Sequence, residues 1–169
     1  MLNKDSAGGV IECVITGVPA GIGEPVFDKH DAKIAQALVS IGAVKGVEIG
    51  DGFEASKSVG SINNDAFEMV DGRIVKTTNH SGGILGGISD GDDIIVRAAI
   101  KPTPSISQMQ HTVNENGENV DIEIHGRHDP VVVPRAVVVV EAMCVITICD
   151  AMLSHMTDRV DYIKEFYKN

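Results

Sequence analysis

Asp129 stands beside Arg127 and His128 in the run Gly126-Arg127-His128-Asp129-Pro130. A carboxylate, an imidazole and a guanidinium in adjacent positions can bind an anion and move a proton in one place. The run follows a strand-like stretch at residues 120–124 and precedes a long apolar segment that begins near Pro134. Asp129 can serve as a base, or orient another group, if Arg127 or a bound ligand tunes its acidity. The plain alternative is an aspartate that sits favourably at a helix N-terminus. His125 and His128 are spaced three apart, but no third ligand at suitable spacing joins them, so no metal site is expected.

Lys101, Pro102, Thr103, Pro104 and Ser105 form a second candidate. Prolines stiffen the segment and lower the entropy lost on ordering it. A lysine and two hydroxyls held that way suit a phosphate, and a plain strand end is the competing reading. The third candidate is the loop Gly82-Gly83-Ile84-Leu85-Gly86-Gly87. Its glycines imply positive φ or close backbone approach, to a planar cofactor or phosphate, or to another stretch of the chain. It is not a Gly-x-Gly-x-x-Gly that opens a helix, and neither a Walker A run nor a Gly-x-Ser-x-Gly elbow is present. His80, His111, His155 and Cys149 belong to no recognisable constellation and are expected at the surface or in the core.

The elements that must position these groups read as follows. Residues 8–18 carry β-branched Val10, Ile11, Val14 and Ile15 and predict a strand. A Gly- and Pro-rich loop follows, and then Phe27, Ile34, Ala35 and Leu38 recur at helical spacing through Ile41. Residues 44–49 predict a short strand, and 50–64 a small, polar linking segment. Asp71-Gly72 between residues 67–70 and 73–76 signals a hairpin. Residues 94–100 predict a strand, 107–119 a polar loop, and 134–166 one long helix despite the strand propensity of 137–140. This order predicts one domain over residues 1–169, of α/β (α+β) class, with a mostly antiparallel sheet.

Composition narrows the class. Hydrophobic residues make up 43% of the 169, enough for a core; aromatics are 4% and Trp is absent, so that core is aliphatic. The formal charge of −10 argues against nucleic acid, whose phosphates call for clustered Lys and Arg. Cys13, Cys144 and Cys149 form no Cys-x-x-Cys pair and read as reduced, buried thiols of a cytoplasmic protein. The start of the chain has no apolar signal region. Residues 136–149 are interrupted by Glu141 and Thr147 and are too short to span a membrane, so a buried helix and no membrane partner are expected.

Together the loops closely resemble chorismate synthases. The resemblance rests on Gly17-Val-Pro-Ala-Gly-Ile-Gly-Glu-Pro-Val-Phe-Asp-Lys, Val44-Lys-Gly-Val-Glu-Ile-Gly-Asp-Gly-Phe, Ser81-Gly-Gly-Ile-Leu-Gly-Gly-Ile-Ser-Asp-Gly, Lys101-Pro-Thr-Pro-Ser-Ile, Gly126-Arg-His-Asp-Pro, and Arg135-Ala-Val through Glu141-Ala-Met. These motifs fall in the family's order and spacing across nearly the whole chain. The chain is similar to the family's C-terminal half, entering at Asp5-Ser6-Ala7-Gly8-Gly9. The family's two catalytic histidines and most of its substrate-gripping arginines lie in the other half, with no counterpart here.

The resemblance implies a 1,4-anti elimination of phosphate from 5-enolpyruvylshikimate 3-phosphate to chorismate, in the shikimate pathway of aromatic amino acid biosynthesis. It implies reduced FMN without net redox change (NADPH is an associated reductant), with transient electron donation and hydrogen removal at flavin N5. By matched motif, Asp129 corresponds to the family's catalytic aspartate. Arg127 and His128 lie against flavin, and Arg127 also against substrate. Lys101, Pro102, Thr103, Pro104 and Ser105 hold the FMN tail, with Lys101 and Ser105 on its phosphate. Gly86 brings backbone to the isoalloxazine, and Gly42 and Ala43 flank the flavin. Gly42 departs from the family's usual Asn there, and with it goes one side-chain hydrogen bond. The implied fold is half of a β-α-β sandwich, and the implied assembly a homotetramer. Half a sandwich leaves apolar surface bare, so self-association or a separate N-terminal half is expected. The alternative reading is a catalytically incomplete FMN-binding or structural half.

Overall fold

The segment Ile-Ile-Val-Arg-Ala-Ala-Ile alternates large apolar with other residues and becomes the central strand. In the computed structural model, which describes residues 4–126 and 129–168, it lies between two antiparallel neighbours. The chain runs β1 (Gly9–Ile15), α1 (His30–Val39), β2 (Val44–Ile49), a 3-10 turn (Gly52–Lys57), α2 (Gly60–Asn63), β3 (Phe67–Val70) and β4 (Arg73–Lys76). It continues with β5 (Ile84–Leu85), β6 (Ile88–Ser89), β7 (Ile94–Ile100), β8 (Gln110–Val113), β9 (Asn119–Ile122), α3 (Val133–His155) and α4 (Val160–Phe166). The sheet order is β1-β7-β2, with Gly9 opposite Ile100 and Ile15 opposite Ile94. Three separate hairpins, β3-β4, β5-β6 and β8-β9, surround it. All these pairs are antiparallel, as expected of this class.

Helices α1 and α3 cover one face only. Ile94, Val96, Ala98 and Ile100 point from β7 into a core shared with Ile34 and Leu38 of α1 and Val140, Cys144 and Ile148 of α3. Each such Leu, Ile or Val contributes about 1.5–3 kcal/mol on full burial. The opposite sheet face carries Val10 and Val14, both at least half exposed. The chain exposes 11458 Å², whereas a folded monomer of its 17.9 kDa exposes about 8,000 Å².

Several boundaries differ from the sequence reading. Residues 110–113 and 119–122 form a hairpin inside the predicted polar loop. Its strands are mostly exposed on both faces, so no apolar alternation marked them; the Asn114 side chain closes the turn by accepting the N–H groups of Asn116 and Glu118. The long helix breaks after His155, where Thr157 Oγ1 bonds Ser154 O and His155 pairs with Asp158. The first helix stops at Val39, where Ser40 Oγ turns back to Ala37 O.

Helix α3 is long, as expected, but it is not buried as a whole. It spans 23 residues, with an 18-residue stretch of mean hydropathy 2.2, long and apolar enough to cross a membrane by length and composition, and only a stripe of it is buried. Val138, Val145, Ile146 and Leu153 face outward. Of the cysteines, Cys144 is buried, Cys13 half-buried and Cys149 exposed, all as free thiols. Burial and the neighbouring Cys13 push the Cys144 thiol up to about 12, so it stays protonated and unreactive.

A buried polar hub ties β4 to the glycine loop. Lys76 Nζ reaches Asp90 at 2.7 Å and Asp65 at 3.7 Å. Burial pushes the Asp65 carboxyl up, but hydrogen bonds from Ser81, His80 and Thr78 outweigh it and hold it well below the usual carboxylate range. The expected DG turn is present, with φ +50 at Asp71 and +76 at Gly72.

His30, at the start of α1, is 1% exposed, and neither ring nitrogen has a hydrogen-bond partner. Burial lowers its pKa, against a smaller opposing effect of Asp31. Above pH 6.5 the ring is neutral whether folded or unfolded; below it the unfolded chain takes up a proton that the folded chain refuses. Stability therefore falls as pH drops through 6.5 and levels off below the folded value. Replacing His30 by Leu removes the unpartnered group and is expected to stabilise the chain by about 1–3 kcal/mol at pH 8. It should also flatten stability between pH 7 and 5. Urea unfolding of both proteins across that range checks this, and equal pH slopes would refute it.

Candidate functional site

The carboxyl-terminal end of β7 organises the site, because the chain leaves the sheet there as Lys101-Pro102-Thr103-Pro104-Ser105. The amino-terminal segment packs directly on it. Ser6 Oγ donates to Thr103 O at 2.6 Å, and Ala7 N donates to Pro130 O at 2.8 Å. Ala7 also bridges in parallel to Val131. Gly8 runs so close that a Cβ there would lie 2.4 Å from Ile100 O and 3.1 Å from Pro102 Cδ. One short segment thus clamps the proline-rich segment to the loop that carries Asp129.

These pieces enclose a cleft of about 140 Å³ that is small beside usual ligand pockets. Asp129 and Ser105 both line it, with Lys4, Ser6, Ser107 and Gly126. Ser107 Oγ donates to Ile124 O at 3.1 Å and Gln110 Nε2 to Pro104 O at 3.0 Å, so the loop after the prolines is held at both ends. Arg135, on the first turn of α3, donates from Nη1 to Asp129 Oδ2.

Ala43 lies at the same end of the sheet, since its carbonyl accepts the Lys101 N–H at 2.9 Å. It takes φ +72, a left-handed conformation that costs a residue with a side chain about 1–2 kcal/mol. Gly42 beside it is open: a Cβ there would meet nothing within 4 Å. Lys101 is exposed and does not line the cleft; among the described lining residues Lys4 is the cation, 3.5 Å from Glu123. Arg127 and His128 lie outside the described residues.

Gly86 is not brought to this group. Its neighbour Gly87 accepts the N–H of His30 at the start of α1, whereas Ala43 follows the other end of that helix. The seven-residue length of β7, about 20 Å, separates the two. Around the glycine loop, Gly82, Gly83 and Gly87 meet other backbone within 2.3–2.6 Å of a Cβ position, while Gly86 has open space. Close packing of chain on chain thus explains three of the four glycines.

The hydroxyls, the backbone corner at Ala43 and the open Gly42 could hold the polar tail and one edge of a planar cofactor. Among the described residues, the cleft is too small to hold such a group whole. Sequence reading did not single out Lys4, Ser6, Ser107 or Arg135. Ser6 and Arg135 stood within motifs already noted, and only the folding of three distant segments onto one another gives them a place. Among the described residues no group of three or more His, Cys, Asp or Glu side chains could hold a metal ion.

Known proteins resemble this chain in sequence and in fold. The chorismate synthase family model matches residues 1–153. The chain is 64% identical over 167 residues to the chorismate synthase of Lachnoclostridium phytofermentans, covering 98% of this chain and 46% of that protein. It is 61% identical over 150 residues to that of Archaeoglobus fulgidus, covering 88% and 42%. A crystal structure of chorismate synthase superposes with a TM-score of 0.75 at 35% identity, covering 99% of this chain and 44% of that one. The chain therefore spans less than half the length of the relatives it matches.

Substitutions at two glycines test the clamp. Gly8→Ala must push Ile100 or Pro102 aside and is expected to cost about 1–3 kcal/mol. Gly42→Ala meets open space and should stay within about 0.5 kcal/mol. Equal effects in chemical denaturation would show that the close approach at Gly8 is not present in solution.

Proposed function

The chain belongs to the chorismate synthase family, and on that premise we propose that it supplies the aspartate-bearing, flavin-facing part of a chorismate synthase. The substrate of the assembled enzyme is 5-enolpyruvylshikimate 3-phosphate, the product chorismate, and the pathway aromatic amino acid biosynthesis in the cytoplasm. The observation that carries this reading is the convergence of Asp129 and Ser105 on one cleft, clamped by Ser6 and Gly8.

Reduced FMN, when bound, supplies the electron density that promotes phosphate loss and takes up the hydrogen. This chain's residues bind and orient. Ser105, Thr103 and Lys101, with Pro102 and Pro104 holding the backbone, serve the cofactor's phosphate tail. Gly42 and Ala43 offer backbone to the ring edge. Asp129 manages a proton at the reacting face, beside Arg127 and His128, with Arg127 also on substrate anions. Gly86 contributes only where another chain or half brings a flavin to that end of the molecule.

The excess exposed surface and the outward-facing valines and isoleucines of α3 support a partner surface. It comes from a complementary N-terminal half or from further copies, up to the family's tetramer. Sedimentation should show the isolated chain self-associating, and complexed when an N-terminal half of the family is added. A well-folded, non-associating monomer in both cases would contradict this.

Activity is read as phosphate release from 5-enolpyruvylshikimate 3-phosphate, anaerobically with reduced FMN, with and without that half. Release is expected in the mixture, and Asp129→Asn should reduce it about 10²- to 10⁴-fold. An undiminished rate in the variant would remove Asp129 from the proton path. FMN binding without phosphate release in the mixture would favour the incomplete, binding-only reading.

A further inference from the structure

We propose that Arg135 is a positioning residue that sets the Asp129 carboxylate against the cleft; this rests on the function proposed for Asp129. Arg135 is the third residue of α3, where the helix presents the positive end of its dipole. A cation is disfavoured there, and the first turn holds no acidic residue to offset it. The compensating charge comes from outside the helix: Nη1 of Arg135 donates to Oδ2 of Asp129, six residues earlier in the chain.

The two partners differ in how firmly they are held. Arg135 N bonds Val132 O at 3.0 Å, and its helix is anchored through buried Val140, Cys144 and Ile148. Asp129 lies in irregular chain, its nearest backbone tie being the Pro130 carbonyl that accepts from Ala7. The guanidinium therefore transmits the rigidity of the longest helix to a carboxylate that the loop alone would leave free to turn. Arg135 does not itself line the cleft, while Asp129 does, so it acts through Asp129 and not on the ligand. The side chains are 74% and 44% exposed; such a pair adds little to stability, which separates a positioning role from a structural one.

The test uses the chain mixed with a family N-terminal half, with Arg135→Ala, Arg135→Lys, Asp129→Asn and the Arg135→Ala/Asp129→Asn double variant. Arg135→Ala is expected to lower kcat for phosphate release on the order of 10²-fold with KM and melting temperature unchanged. Added guanidinium ion should restore much of the loss, and Arg135→Lys should lie between, because it keeps charge but not the fork. The double variant should be no slower than Asp129→Asn and deaf to guanidinium. Full activity in Arg135→Ala would overturn the proposal. So would a rise in KM at constant kcat, which would make Arg135 a substrate contact, or a loss that follows the melting temperature and is not rescued.

A second measurement needs no activity. The ¹³C resonance of the Asp129 carboxyl in the unmixed chain should move on Arg135→Ala, and an unmoved resonance would overturn the pairing. Silence of the wild-type mixture with a moved resonance would instead sink the proposed reaction, and the positioning role with it.

Discussion

The sheet and the two helices packed on it, α1 and α3, are built around strand β7. It pairs along its length with β1 on one side and β2 on the other, and it sends Ile94, Val96, Ala98 and Ile100 into the only face that α1 and α3 cover. Where it ends, at Ile100, the chain cannot continue as strand because two prolines follow within four residues. That forced exit makes the proline-rich segment, and the segment becomes the floor on which Ser6, Gly8 and the Asp129 loop assemble. A change that loosened β7 would thus reach the cleft without touching a residue that lines it.

The one-sidedness of this sheet has an energetic consequence. A helix apolar on most of its circumference is stable when fully buried or in lipid, yet α3 buries only a stripe. The remaining valines and isoleucines, with Val10 and Val14 on the bare sheet face, leave a surface far larger than a protein of this mass ordinarily exposes. The relatives that this chain matches are more than twice as long.

Polar groups are handled in two contrasting ways. Asp65 is surrounded by donors from Thr78, His80 and Ser81, and Lys76 by three carboxylates. These satisfied networks hold the glycine loop and the β3-β4 hairpin in register with the sheet. His30 is the opposite case, a buried ring without partners at the joint between α1 and the glycine loop. A cost accepted there is acid sensitivity in the packing of α1, far from the cleft.

Periodicity and turn chemistry made β1, β2, β7 and the Asp71-Gly72 hairpin legible in the sequence, because each depends on neighbours close along the chain. The motifs likewise identified the family and put Asp129 and Ser105 forward as site residues. The β8-β9 hairpin escaped notice because exposed strands need no apolar alternation, and the break after His155 because helix propensity continues through it. Only tertiary structure could show that Ser6 and Gly8 clamp the proline segment, that Arg135 reaches Asp129, and that Gly86 lies a strand's length from Ala43. The contacts that build the cleft join segments up to 124 residues apart, counting from Ala7 to Val131. No local pattern encodes such distances; they follow from how β7 pairs and where α3 docks.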